Sequence, residues 1–434
     1  MMQDQPAAAI TEVRVTPVAF ADPPLLNAVG VHEPWALRSI VELVTDSGEY
    51  GLGESYGDAV HVQRLRKVGA ELVGLDAFDI ARLRIAATET LAHDTLTGGH
   101  GTSGMVTGTT DLDRVFAPLE VAALDVQGKL LNVPVTTLLG GRHRESIPFS
   151  GYLFYKWAGH PGDGRTPDTA EADGFGTALD PEGIVAQAEW MVERYGFTAL
   201  KLKGGVFDPH QEASAIEALA ARFPGIPLRL DPNAAWTVET SIEIGRRLGG
   251  TLEYLEDPTA GFAGMAEVRG QVPMPLATNM CVVAFDHLPP AVAAGSIDIV
   301  LSDHHFWGGL RRSQELAGIA DTFGLGLSMH SNSHLGVSLA AMLHFAAAAR
   351  NIDYACDTHW PWKQSDDDVV EGSPFTFAGG SIAVPSAPGL GVTLDRDRLA
   401  RLNRAYEDCG LTARDDTTYM RRFQPAFSPS IPRF

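Results

Sequence analysis

The feature that most constrains this chain is a set of eight short apolar segments, at 147–155, 199–203, 227–231, 252–256, 275–279, 297–303, 326–330 and 352–357. From the second onward they recur about every 25 residues, with helix-length stretches between them. Short strands alternating with helices are the pattern of a closed parallel sheet, so the spacing predicts an α/β chain built on a (β/α) barrel. In that fold the side chains at strand C-termini meet over one mouth of the barrel. Here those ends carry Lys201 and Lys203, then Asp231, Glu256, Asn279, Asp303 and His330. Each alone has an ordinary explanation, such as a turn-forming Asp before Pro232 or a helix start at Glu256-Asp257-Pro258. Six consecutive strands that all finish on polar residues call for a common one.

Lys201 and Lys203 lie two apart on a strand and therefore project from the same side. Mutual repulsion and burial are expected to bring at least one amine down from about 10.4 toward neutrality, where it can take a proton from carbon. Asp231, Glu256 and Asn279 are oxygen donors on consecutive strands, a set that suits Mg²⁺, or Mn²⁺ on the same oxygens, better than Zn²⁺. Two carboxylates and one amide leave such an ion close to neutral. A substrate carboxylate can then chelate it, and the ion stabilises the enediolate formed when the adjacent proton is removed. On the other flank, Asp303 within reach of His330 would fix the imidazole tautomer and raise its basicity. An amine on one side and an imidazole on the other allow a proton to be taken from either face of a carbon, and protonated His330 could assist loss of a β-hydroxyl.

In chain order, residues 11–54 read as an antiparallel meander. Its first connection holds Asn27 and His32 in apolar surroundings, as a lid offering hydrogen bonds to a ligand would. Residues 57–92 are helical in pattern, and the glycine- and threonine-rich run at 96–110 has no periodicity and reads as a loop. At 115–131 a helix is expected to bury Leu119, Ala122, Ala123, Val126, Leu130 and Leu131 on one face. After the first barrel strand comes a long loop at 159–168, and Asp180-Pro181-Glu182 then opens a helix with Ile184, Ala188, Met191 and Tyr195 inward. The end of the chain carries a helix at 397–409 and a proline-rich stretch with no place in a completed barrel. The expected organisation is an α+β capping domain at 1–140, the barrel at 141–381, and a segment at 382–434 that packs back on the cap.

A chain of 434 residues exceeds one ordinary core, in keeping with two units. Its net charge of −21 and pI near 5.0 argue against nucleic acid or an anionic membrane as partner, and an anionic ligand requires a local positive site. Three cysteines, Cys281, Cys356 and Cys409, lack metal-like spacing and suit a reducing compartment, so a cytoplasmic location is expected. No apolar run approaches about 18 residues, and the N-terminal residues lack the pattern of a signal peptide. The helical exterior suits a symmetric homo-oligomer.

Taken together, the motifs resemble the enolase superfamily and, more narrowly, its glucarate dehydratase group. The matching words are Leu25-Leu26-Asn27 with His32, Gly151-Tyr152-Leu153-Phe154, Lys201-Leu202-Lys203-Gly204-Gly205-Val206, Asp231-Pro232-Asn233-Ala234-Ala235-Trp236, Pro275-Leu276-Ala277-Thr278-Asn279-Met280, Asp303-His304-His305-Phe306-Trp307, His330-Ser331-Asn332, Asp357-Thr358-His359-Trp360 and Ala413-Arg414-Asp415-Asp416. The resemblance implies metal ligands at Asp231, Glu256 and Asn279. It also implies a base at Lys203 tuned by Lys201, an opposite base at His330 paired with Asp303, and substrate contacts from Asn27, His32, Tyr152, Asn332 and His359. It implies an enolase-type barrel with an N-terminal cap, and loss of water from a six-carbon sugar diacid, D-glucarate on the histidine face and L-idarate on the lysine face. A dehydratase or epimerase of a different acid sugar, or a weakly active relative that mainly binds ligand, is the alternative. The chain departs from the group at 97–118 and at Asp257-Pro258-Thr259-Ala260-Gly261-Phe262, where some members carry an extra acid.

Overall fold

The structure is a computed structural model that describes residues 7–92, residue 94, 111–162 and 171–434. The loop expected at 96–110 and residues 163–168 of the loop expected at 159–168 lie outside the described residues.

The chain opens with β1 (Ile10–Ala21), a short hairpin of β2 (Leu26–Asn27) and β3 (Gly30–Val31), then β4 (Trp35–Thr45) and β5 (Tyr50–Tyr56). β1, β4 and β5 form the antiparallel sheet read from the sequence, followed by α1 (Ala59–Glu71), α2 (Ile80–Leu91) and α3 (Asp111–Leu131). α3 lies directly on β5 because two glycines leave the strand bare there. A Cβ on Gly51 would stand 1.9 Å from the Ala122 carbonyl oxygen, and one on Gly53 2.0 Å from that of Pro118. The helix starts ahead of the predicted position and runs through Pro118, whose ring forfeits one intrahelical bond. Leu130 and Leu131, expected on the apolar face, are 37% and 53% exposed. The strand beneath begins only at Tyr50, whose carbonyl already takes Lys129 Nζ at 2.8 Å, so the last turn overhangs the sheet.

After α4 (Val135–Leu138) come β6 (Ser146–Pro148) and β7 (Gly151–Phe154), which divide the predicted first strand between two sheets. The barrel alternates from there: α5 (Pro181–Tyr195), β8 (Leu200–Lys203), α6 (Pro209–Arg222), β9 (Leu228–Asp231), α7 (Val238–Arg247), β10 (Leu252–Glu256), α8 (Gly261–Arg269), β11 (Leu276–Thr278), α9 (Leu288–Ala294), β12 (Ile299–Ser302), α10 (His304–Trp307), α11 (Leu310–Thr322), β13 (Gly326–Met329) and α12 (Gly336–Ala348). β7 to β13 form one parallel sheet in sequential order, buried on both faces. The predicted eighth strand is not a regular one. Residues 352–357 instead bridge the open sides of the sheet, with Ile352 beside Leu327 and Cys356 beside Phe149. The N–H groups of Asp353 and Asp357 donate to β13, and that of Cys356 to Pro148 at 2.9 Å, so the ring closes through single bridges. Local chemistry sets the helix starts: at α5 the Asp180 carboxylate accepts the Gly183 N–H at 2.8 Å and Pro181 occupies the first turn.

Buried carboxylates of the N-terminal part cap barrel helices. Glu54 of β5 accepts the N–H groups of Leu335 and Ser338 at 2.9 and 2.8 Å, and Glu120 of α3 those of Leu310 and Arg311 at 2.9 and 3.1 Å. Beyond β14 (Phe377–Ala378) and β15 (Ser381–Ala383), α13 (Arg396–Cys409) lies on β1, where Asn403 donates to the Pro17 carbonyl at 2.8 Å. α14 (Asp416–Arg421) lies on β3, where Thr417 donates to the Val29 carbonyl at 2.6 Å. No helix among the described residues is long and apolar enough to cross a membrane.

Candidate active site

Strand register brings the first site residues together. Lys203 pairs with Phe154 on β7 and Asp231 on β9, and Lys201 pairs with Tyr152 and Arg229. Lys203 Nζ lies 2.7 Å from Asp231 Oδ2 and also donates to Asn233 Oδ1. Lys201, fully buried, has its ammonium 2.5 Å from Glu256 Oε2, 2.7 Å from Asp357 Oδ2 and 3.7 Å from Asp231 Oδ2. It also sits 4.7 Å from the centre of the Tyr152 ring. At Lys201 the packing produces the opposite of the expected depression. Burial works against the Lys201 charge, but Asp357 and Glu256 outweigh it and hold Lys201 well above the ordinary lysine range. The carboxylates, which the two-lysine argument left out, stand beside both amines.

Asp231, Glu256 and Asn279 stand at the ends of three adjacent strands. Asn279 donates through Nδ2 to Glu256 Oε1 at 2.5 Å, which leaves its amide oxygen as a free donor. Glu256 Oε2 is buried without a hydrogen-bond partner of good geometry, its ion-pair distance to Lys201 notwithstanding. The carboxylates of Asp231, Glu256 and Asp357 against the ammonium groups of Lys201 and Lys203 leave one negative charge in excess in a buried cluster. Burial and the Asp231 charge accordingly push Glu256 well above the usual carboxylate range. An all-oxygen donor set fits a hard divalent cation, whose charge would favour the ionised form of Glu256. Asp257 is turned away from it and spends its carboxylate on Thr278, Asn279 and Met280. Asp303, His304 and His305 also bring possible ligand atoms within 4.8 Å of one another. Asp303 is committed to His305, however, and the Arg38 guanidinium 3.0 Å from His305 Nε2 opposes a second cation there.

His330 Nδ1 lies 3.1 Å from Asp303 Oδ2. Burial alone would raise the Asp303 carboxyl, but His305 and His330 outweigh it and keep the group well below the usual carboxylate range. An ionised Asp303 takes the Nδ1–H of His330 and leaves Nε2 free to act as a base. β8 and β13 are separated by β9 to β12, so the amine and the imidazole occupy opposite arcs of the barrel.

Lys203, Asn279 and His330 all face a cavity of about 340 Å³. Of the residues expected at the substrate, Asn27, His32, Tyr152, Asn332 and His359 line it as well. Asn27 donates to Asp416 at 3.1 Å, His32 Nδ1 lies 3.1 Å from Asp22, and Asn332 donates to the Tyr56 hydroxyl at 3.1 Å. Tyr152 donates to Asp231 at 3.3 Å. His359 accepts or donates to Ser331 through Nδ1 at 3.0 Å, and burial among His32, His334 and His330 keeps it uncharged, well below the ordinary histidine range. The residue reading missed Arg414, Arg38, Tyr56 and Asp357. Arg414 lines the cavity and is gripped by Asp416 at 2.7 and 2.9 Å and by Asp22 at 3.1 Å. Two signals pointed to members of this group: the acidic end of the eighth segment, Asp357, and the need for a local positive site in a chain of charge −21, met in part by Arg414.

Fold and site together define a barrel enzyme whose strand ends gather ionisable side chains and a set of oxygen atoms able to hold a cation. Residues 183–398 match the family described as Enolase C-terminal domain-like. The chain is 50% identical over 432 residues to the probable glucarate dehydratase of Streptomyces coelicolor, covering 98% of this chain and 99% of that one. An enolase from Mycobacterium smegmatis, solved with formate and acetate, superposes with a TM-score of 0.94 at 58% identity over all of both chains, and the same enolase has also been solved with tartrate. An enolase from Gibberella zeae, solved with magnesium, formate and sulfate, gives 0.94 at 58% identity over 98% of this chain and 97% of that one. The chain belongs to the enolase superfamily and has its fold.

Proposed function

We propose that this enzyme is a Mg²⁺-dependent dehydratase of acid sugars whose leading substrates are D-glucarate and its epimer L-idarate, with 5-keto-4-deoxy-D-glucarate as product. The observation that carries this reading is the amine and imidazole on opposite arcs of one cavity, with three oxygen donors on the strands between them. The Streptomyces coelicolor relative's name supports the substrate, the tartrate of the Mycobacterium smegmatis structure supports a hydroxy diacid, and the magnesium of the Gibberella zeae structure supports the ion.

Asp231, Glu256 and Asn279 would hold the ion, which supplies positive charge beside the substrate carboxylate. His330 Nε2 takes the proton from the carbon next to that carboxylate, and Asp303 balances the imidazolium. The same imidazolium gives a proton to the departing β-hydroxyl, which leaves as water, and the enol that remains tautomerises to the ketone. For the epimer the proton departs on the opposite face, toward Lys203. Arg414 and His32 on the cavity wall suit the distal carboxylate as hydrogen-bond donors.

The test is a panel of acid sugars with Mg²⁺, scored by the ketone that semicarbazide detects. A keto product from D-glucarate and L-idarate is expected. Interconversion of epimers without ketone would make the enzyme an epimerase, and binding without turnover would leave a ligand-binding relative; either result overturns the reading.

A further inference from the structure

Asp303 serves two imidazoles. Its Oδ2 takes His330 Nδ1 at 3.1 Å, while its Oδ1 takes the backbone N–H and the Nδ1 of His305 at 3.0 and 2.7 Å. The other ring nitrogen of His305 lies 3.0 Å from a guanidinium nitrogen of Arg38 on β4. A guanidinium can only donate, so His305 Nε2 accepts and the proton of a neutral His305 is on Nδ1, facing Asp303. Arg38 is itself set by Glu54 of β5, which accepts its Nε–H at 2.9 Å while capping α12. Donor directions therefore run from the N-terminal sheet to Asp303, where they meet the Nδ1–H that the base donates from the other side.

Arg38, Asp303 and His305 are 2%, 1% and 5% exposed. A void of about 10 Å³ touching Arg38, Asp303, His305 and His330 has room for about one water. The titratable and charged groups around His305 are Asp303 and His304 beside it, Arg38 and Tyr56 from the N-terminal sheet, and His330 and His334 from the loop after β13.

We propose that His305 is a positioning residue for His330: with Arg38 fixing its proton on Nδ1, it occupies one oxygen of Asp303 and turns the other toward His330, so that seating of the N-terminal sheet prepares the base. This rests on the reading of His330 as a base.

Two arms test it on the full-length protein. In the first, NMR of isotope-labelled imidazole nitrogens, assigned with His305→Phe, is expected to show His305 neutral and protonated on Nδ1. The tautomer should persist in Arg38→Lys and be lost when Arg38→Met is combined with Glu54→Gln, a pairing that leaves no buried charge unpartnered. In the second, His305→Phe is expected to lower kcat about ten- to a hundredfold on the epimer that His330 serves, with KM nearly unchanged and the pH limb of kcat displaced, while the epimer served by Lys203 is spared. An Nε2-protonated His305 in the wild type, or equal losses on both epimers, overturns the proposal. If the wild type turns over neither epimer, the dehydratase reading has failed, and the tautomer still decides the role of His305.

Discussion

Asp257 Oδ2 accepts the backbone N–H of Asn279 at 2.7 Å, next to the side chain by which Asn279 meets Glu256. The same oxygen takes the Met280 N–H at 3.0 Å, and Oδ1 takes the Thr278 hydroxyl at 2.6 Å. One carboxylate that does not face the proposed cation site thus fixes the backbone of a residue proposed to hold the ion. Asp257→Ala is expected to weaken Mg²⁺ affinity about ten- to a hundredfold, and Asp257→Asn, which keeps one acceptor, by less. Calorimetric titration with Mg²⁺ reads this directly, and an affinity untouched in both variants would confine Asp257 to the fold.

Asn279→Asp replaces the one neutral donor of the set with a charge. The cation should then bind more tightly and the diacid more weakly, with KM raised about tenfold or more. Mg²⁺ titration alongside steady-state kinetics checks both signs, and unchanged kinetics would count against Asn279 as a ligand.

Lys203→Ala and His330→Ala should divide the two epimers between them. Each is expected to cost at least about a hundredfold in kcat on the epimer its residue serves and far less on the other. Ketone formation from D-glucarate and from L-idarate, measured in parallel, shows the division; identical losses on both would remove the account with two bases.

Acid should loosen the C-terminal contact with the β2–β3 hairpin. Burial raises the Asp416 carboxyl, but Arg414 and its neighbours pull it down to about 2 from 3.8. A depressed carboxyl stabilises the fold above the higher value and ceases to do so as pH falls through the lower one. Asp416→Asn should therefore cost about 2 kcal/mol at neutral pH, and its deficit should close between pH 3.8 and about 2. Thermal melts of both proteins across that range test the sign, and a deficit that stays constant in acid would assign it to packing.

The strand ends were readable because each depends only on a local alternation and on the rule that places those ends at one mouth. Lys203 beside Asp231, and His330 beside Asp303, follow from neighbouring strands of a sheet with sequential order. The partners of Arg38 and Arg414 did not follow: Arg38 meets His305 across 267 positions and Arg414 meets Asp22 across 392, pairings that only the docking of the sheet and the tail decides. The raised proton affinity of Lys201 escaped for a related reason, since Asp357 arrives from a segment that closes the barrel without forming a regular strand. Leu130 and Leu131 carry the right period for burial, but where β5 begins is not written in the helix.

Glu54 and Glu120 make the barrel's α12 and α11 depend on side chains that are encoded in the first third of the gene. A hybrid that exchanges this portion for that of another protein, to graft new selectivity onto the same catalytic half, has to keep a carboxylate at both places. Without them, two helices around the mouth would begin on uncovered amide groups, and the transplanted enzyme would be weakened before its choice of substrate could be assayed.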